Sequence, residues 1–83
     1  MDFSKYKYKP EDFEGVQFMT DDLTAFYAAV EKYKADASKA NSREVFDRFY
    51  DMHYTLKHRT LNGVLTPAFA GEIEAYLLEV AND

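Results

Sequence analysis

SREVFDRFYDMHYTLKHRTL, residues 42–61, is the stretch whose reading decides the fold. At about 100° per residue, Met52, Val45, Leu56, Phe49, His53, Phe46, Tyr50 and Tyr54 follow one another around one side of a helix. Their arc is roughly 200° wide, against ~100° for a helix that packs on a single neighbour. Glu44, Asp47, Asp51, Thr55 and His58 share the opposite side. So broad an apolar arc requires cover from two directions, and the flanking segments are expected to supply it. Phe49, flanked by Val45, Met52 and Leu56, is expected where all three helices meet.

Upstream, Leu23, Phe26, Tyr27, Val30, Tyr33 and Ala37 recur at spacings of three and four, which predicts a first helix over about 20–39. Thr20 is its expected N-cap, with Asp21 and Asp22 favoring the positive end of the helix dipole. Ser-Lys-Ala-Asn-Ser at 38–42 is the expected break. The central helix is then placed at 42–60, with Asn41 as cap, Glu44 as capping-box partner and a Glu44–Arg48 pair one turn on. Asn62-Gly63 supplies its stop. A third helix, 66–81, opens on Thr66 as N-cap and Pro67 at the first helical position, where a missing N–H costs nothing. Phe69, Ile73, Tyr76, Leu77 and Val80 form its apolar stripe, and Gly71 beside it leaves room for a neighboring helix.

The first nineteen residues have no helical period. Lys5-Tyr6-Lys7-Tyr8-Lys9 alternates, so an extended chain would place both tyrosines on one side and the lysines on the other. Pro10 can open a single turn with Glu11 and Asp12 at its positive end, and Gly15 can end it in the left-handed region. Two arrangements fit. One is an irregular or weakly extended arm over the helices, anchored by Phe3, Tyr6, Phe13 and Phe18. The other is a hairpin around 10–15, which would be marginal without support; the arm is the expectation. The fold expected is therefore all-α, a three-helix bundle in a single domain 1–83, with an arm at 1–19 and a helical core at 20–83.

Composition narrows the function classes. Eighty-three residues lie near the lower end of what one hydrophobic core holds together. Without cysteine there is no disulfide framework and no thiolate metal site. Seven Phe and seven Tyr are more than one small core encloses, so some aromatics should reach the surface. No run approaches the ~20 apolar residues of a membrane span, and no basic-then-apolar leader opens the chain, so a cytoplasmic protein with no membrane association is expected. A net charge of −5 argues against general nucleic-acid binding.

No motif carries chemistry. His53 and His58 stand roughly 140° apart on one helix and cannot share a metal as an i,i+4 pair would. No nucleophile is flanked by its usual partners, and the three glycines are isolated. The expectation is a non-catalytic protein with no cofactor and no metal.

Two binding readings remain. The first is a small accessory or adaptor protein that binds another protein or a second copy of itself. Tyr54, His58, Glu72, Glu74 and Glu79 are its candidate surface, chosen for exposed aromatic character and the one-signed acidic third helix. The alternative is a single-strand nucleic-acid binder that uses Lys5, Tyr6, Lys7, Tyr8 and Lys9, where cations interleave with stackable rings. Reading the last helix as a recognition helix fails, because its only charges are negative.

Overall fold

Three helices, α1 (Met19–Ala35), α2 (Lys39–Leu61) and α3 (Pro67–Asn82), follow a 3-10 turn over Pro10–Phe13 in a computed structural model that describes residues 2–83. The architecture is the expected all-α bundle with an irregular arm. No strand occurs among the described residues, so the hairpin alternative falls.

Where local chemistry is unambiguous, the boundaries follow it. Thr66 caps α3, its hydroxyl oxygen accepting from Phe69 N at 3.2 Å, and Pro67 takes the first helical position. Gly63 turns the chain after α2 at φ 82°, a conformation open to glycine. Pro10 opens the 3-10 turn with Glu11 and Asp12 in its first turn, and Gly15 takes φ 86° just beyond it.

Three boundaries depart from expectation. Thr20 does not cap α1. The cap position is Phe18, held at φ 69° with no capping side chain, while the Thr20 hydroxyl donates to the Pro10 carbonyl at 2.9 Å and ties the arm to the helix. Helix α1 stops at Ala35 rather than near 39, because the chain turns extended at Asp36. Ser38, not Asn41, caps α2: its hydroxyl accepts from Asn41 N at 3.1 Å. Asn41 is buried in the first turn, where its Nδ2 donates to the Asp36 carbonyl at 2.8 Å and locks the α1–α2 corner. Glu44 therefore closes no capping box. It reaches across to Lys32 of α1 at 3.5 Å, and Arg48 pairs instead with Asp51 at 3.2 Å.

The core is built mainly on α1, which sinks Met19, Leu23, Phe26 and Tyr27 completely. Against them stand Val45, Met52 and Leu56 of α2 and Ile73 and Leu77 of α3. Met52 occupies the enclosed position expected of Phe49. Phe49 is only partly buried, its ring edging toward Phe26 with centroids 6.3 Å apart. The buried seam of α2 comprises Asn41, Val45, Met52, Thr55 and Leu56, turned by about a quarter of the circumference from the apolar arc. Thr55, on the polar side by pattern, is buried and donates its hydroxyl to Asp22 of α1. One half of the arc is core; the other half faces outward.

The arm supplies the missing cover. Helix α2 packs against both α1 and α3, and the arm lies along the side where those two helices lack extensive mutual contact. Tyr6 stacks on Tyr27 of α1, while Tyr8 meets Phe69 and Tyr76 of α3 edge-on at 6.0 and 5.3 Å. Lys7 N donates to the Tyr76 hydroxyl at 2.8 Å, and the Tyr27 hydroxyl donates to the Tyr8 carbonyl. Phe3, Tyr6 and Phe13 are anchors as expected, and Tyr8 joins them; Phe18, the fourth expected anchor, is exposed. Gly71 admits no helix, since a Cβ built there would meet nothing within 4 Å.

Candidate interaction face

The outward half of the α2 arc is an aromatic row. Phe46, Tyr50 and Tyr54 stand at successive i,i+4 positions, 44%, 60% and 58% exposed. Side chains at this spacing lie above one another on a helix, about 6 Å apart along the axis. Beside the row runs a shallow groove between α2 and α3. Two adjoining concavities of about 480 and 260 Å³ make it up, sharing His53, Gly71 and Glu74. Its α2 wall is Phe49, Tyr50, His53 and Lys57, and its α3 wall is Gly71, Ala75 and Leu78. The open space over Gly71 is thus part of the groove.

One polar pair crosses the middle. His53 Nδ1 contacts Glu74 Oε1, the ring N–H donating to the carboxylate and linking α2 to α3 at the surface. His53 also meets Tyr54 edge-on, with centroids 5.8 Å apart. Among the described residues no three His, Asp or Glu are grouped to hold a metal. No helix among the described residues is long and apolar enough to cross a membrane.

Of the five residues proposed from sequence for this surface, Tyr54 and Glu74 come together around His53. His58 is exposed one turn beyond Tyr54, and Glu72 and Glu79 stand on the solvent side of α3. Sequence reasoning missed Phe46, Tyr50, Gly71, Ala75 and Leu78. The signal that points to them is the excess width of the α2 arc, which the core does not use.

The arm residues are placed differently. Tyr6 and Tyr8 are buried, so the rings an oligonucleotide base would stack on are already occupied. Their lysines hold the arm down. Lys5 pairs with Glu31 at 2.9 Å, Lys7 lies 5.3 Å from the Tyr8 ring center, and Lys9 Nζ donates to the Tyr6 carbonyl at 3.2 Å. Burial and the neighboring Glu31 carboxylate push the Tyr6 phenol far up, and burial does the same to Tyr27. The Tyr6 hydroxyl bond and Lys5 in turn hold Glu31 below the usual carboxylate range. A larger depression beside the arm mixes Lys5 and Lys34 with Glu79 and Asp83, a balanced lining that selects no ligand charge.

No protein-family model matches the chain, and no curated protein or solved structure is significantly similar to it. The functional argument therefore rests on the chemistry of the face.

Proposed function

We propose that this chain is a small accessory protein of the cytoplasm that acts by binding protein, without catalysis or cofactor, through the α2–α3 face. The observation that carries the reading is an exposed row of Phe46, Tyr50 and Tyr54 beside an open groove with a small-residue wall at Gly71 and Ala75. Aromatic side chains concentrate binding energy because they bring large area at little conformational cost. A groove between two helices accepts the ridge of a third, the usual way a helical partner docks. The polar His53–Glu74 pair in its floor adds orientation to an otherwise apolar contact.

The oligonucleotide alternative receives no support from the arm, whose tyrosines are spent on Tyr27, Phe69 and Tyr76. The test is a photo-crosslinking amino acid placed at Tyr54 in the native cell, with Asp51 as the control position on the same helix. Irradiation should give polypeptide adducts from Tyr54 and few from Asp51. Equal yields from both, or none from Tyr54, would sink the reading.

A further inference from the structure

We propose that the occupant of the α2–α3 face is an acidic amphipathic helix of another protein. This rests on the reading of that face as a protein-binding surface, and spacing and charge carry it further.

Spacing sets the shape of the occupant. Lys39, Arg43, Phe46, Tyr50, His53 and Lys57 follow one another at intervals of four, three, four, three and four. That is the spacing of a coiled-coil seam, and it keeps all six within about 40° of one direction around α2. All six are exposed, and the buried stripe of α2 takes none of them. The helix therefore carries two seams, one spent on the core and one free. Tyr50, His53 and Lys57 of the free seam also wall the groove, and Gly71 and Ala75 opposite are small enough for a helix to come close. An extended strand repeats every two residues and does not match this spacing.

Charge sets its chemistry. The free seam carries cations toward both ends, Lys39 and Arg43 at one and Lys57 at the other, and no carboxylate. None of the three makes an ion pair within the chain among the described residues. The nearby carboxylates are engaged or turned aside. Glu74 reaches the groove but is paired with His53. Asp47 stands about 80° from the seam, and Glu72 lies about 100° around α3 from Gly71. Glu79 lines the depression beside the arm with Lys5 and Lys34. Nor does folding call for these cations. Lys39 occupies the first position of α2, where the helix dipole disfavors positive charge, and no acidic residue in the first turn offsets it.

A helix seated here needs apolar anchors over Phe46, Tyr50 and the small-residue wall, with carboxylates toward both ends. Arg43 and Lys57 are fourteen positions apart, about 21 Å along the axis, which sets the separation of those carboxylates. Elsewhere the net charge of −5 repels such a partner and steers it to this rim.

A labeled three-heptad peptide with Leu at the a and d positions and Glu at e and g tests this, by fluorescence anisotropy with the full chain. It should bind with a Kd of about 10–100 µM and weaken as salt rises. The same peptide with Lys for Glu, and one with its leucines moved off the heptad, should each bind at least tenfold more weakly. Arg43→Glu combined with Lys57→Glu should weaken the Glu peptide at least tenfold and favor the Lys peptide. Tyr50→Ala should weaken both peptides, and helicity should be unchanged in every variant because these positions are exposed. No binding of the Glu peptide at about 100 µM, or equal binding of the Lys peptide, overturns the inference. So does a dimer in sedimentation equilibrium that Tyr50→Ala dissociates. Binding to a dT oligonucleotide or to anionic vesicles that the double variant abolishes also overturns it, by placing a different occupant on the face. If the Glu peptide fails while the Tyr54 crosslinker captures a polypeptide, the acidic helix is removed and protein binding stays. With no adduct, both are removed.

Discussion

Tyr6 lies flat on Tyr27, ring centroids 3.9 Å apart and planes 4° from parallel. The stack joins the irregular arm to the most buried helix, and each ring also has a polar tether. The Tyr6 hydroxyl donates to Glu31 and the Tyr27 hydroxyl to the Tyr8 carbonyl. Tyr6→Ala should cost about 3–5 kcal/mol, as buried aromatic truncations do. The whole domain is stabilized by about 4–12 kcal/mol at its length. Tyr6→Phe keeps the stack and should lose only about 1 kcal/mol. Denaturant melts that rank the two variants equally would show that the ring adds nothing.

The same pair sets a limit at high pH. Tyr6 and Tyr27 hold their protons more tightly folded than unfolded, so their contribution is complete below about pH 10 and is lost as pH rises beyond it. Their phenolate absorbance should appear only together with loss of helicity, and ionization of all seven tyrosines before unfolding would contradict this.

Glu31 acts in the opposite direction. Its folded value is depressed, so its contribution is present above the unfolded value of about 4.3 and fades as pH falls through the folded one. Glu31→Gln should flatten the acid limb of a stability–pH profile between those values. An unchanged limb would mean that the Tyr6 and Lys5 contacts carry no weight in solution.

Met52 and Phe49 separate core from face. Met52→Ala empties an enclosed position and should cost about 2–5 kcal/mol, while Phe49, half-buried at the groove edge, should cost about 1–2 kcal/mol. Asp47→Ala, on the solvent side, should stay within about 0.5 kcal/mol. Thermal melts in the reverse order would place the seam of α2 where the apolar pattern alone puts it.

The corner before α2 gives a fifth test. Ser38→Ala should cost about 0.5–2 kcal/mol through loss of the cap. Asn41→Ala should cost about 0.5–1.5 kcal/mol, because it removes one of the two donors of the Asp36 carbonyl, Ser38 N remaining at 2.8 Å. Amide exchange in the first turn of α2 should accelerate in both variants, and an unaffected turn would reassign the cap.

These residues also show what is legible in a sequence. Thr66-Pro67 marks a helix start by chemistry that is complete within two residues, and the structure places it there. Ser38 and Asn41 are equally good caps three positions apart, and the choice falls to a contact with Asp36 that no local pattern contains. Periodicity ranks Phe46, Tyr50 and Tyr54 with Met52, because it measures which side of a helix is apolar and not what lies against it. The alternation of Lys5 to Lys9 does sort rings from cations. Only the packed structure reveals that the rings fill the gap between α1 and α3.

Lys7 donates its amide hydrogen to the hydroxyl of Tyr76, a partner sixty-nine positions later in the chain. During synthesis, α1 and α2 can pair and Tyr6 can settle on Tyr27 as soon as those helices have emerged, whereas Tyr8 and Phe13 lack Phe69 and Tyr76 until α3 follows. Until then Tyr8 and Phe13 are only partly covered, an interval in which the nascent chain offers a sticky aromatic segment to chaperones or to neighboring chains. The three lysines interleaved with those tyrosines keep that waiting segment dissolved.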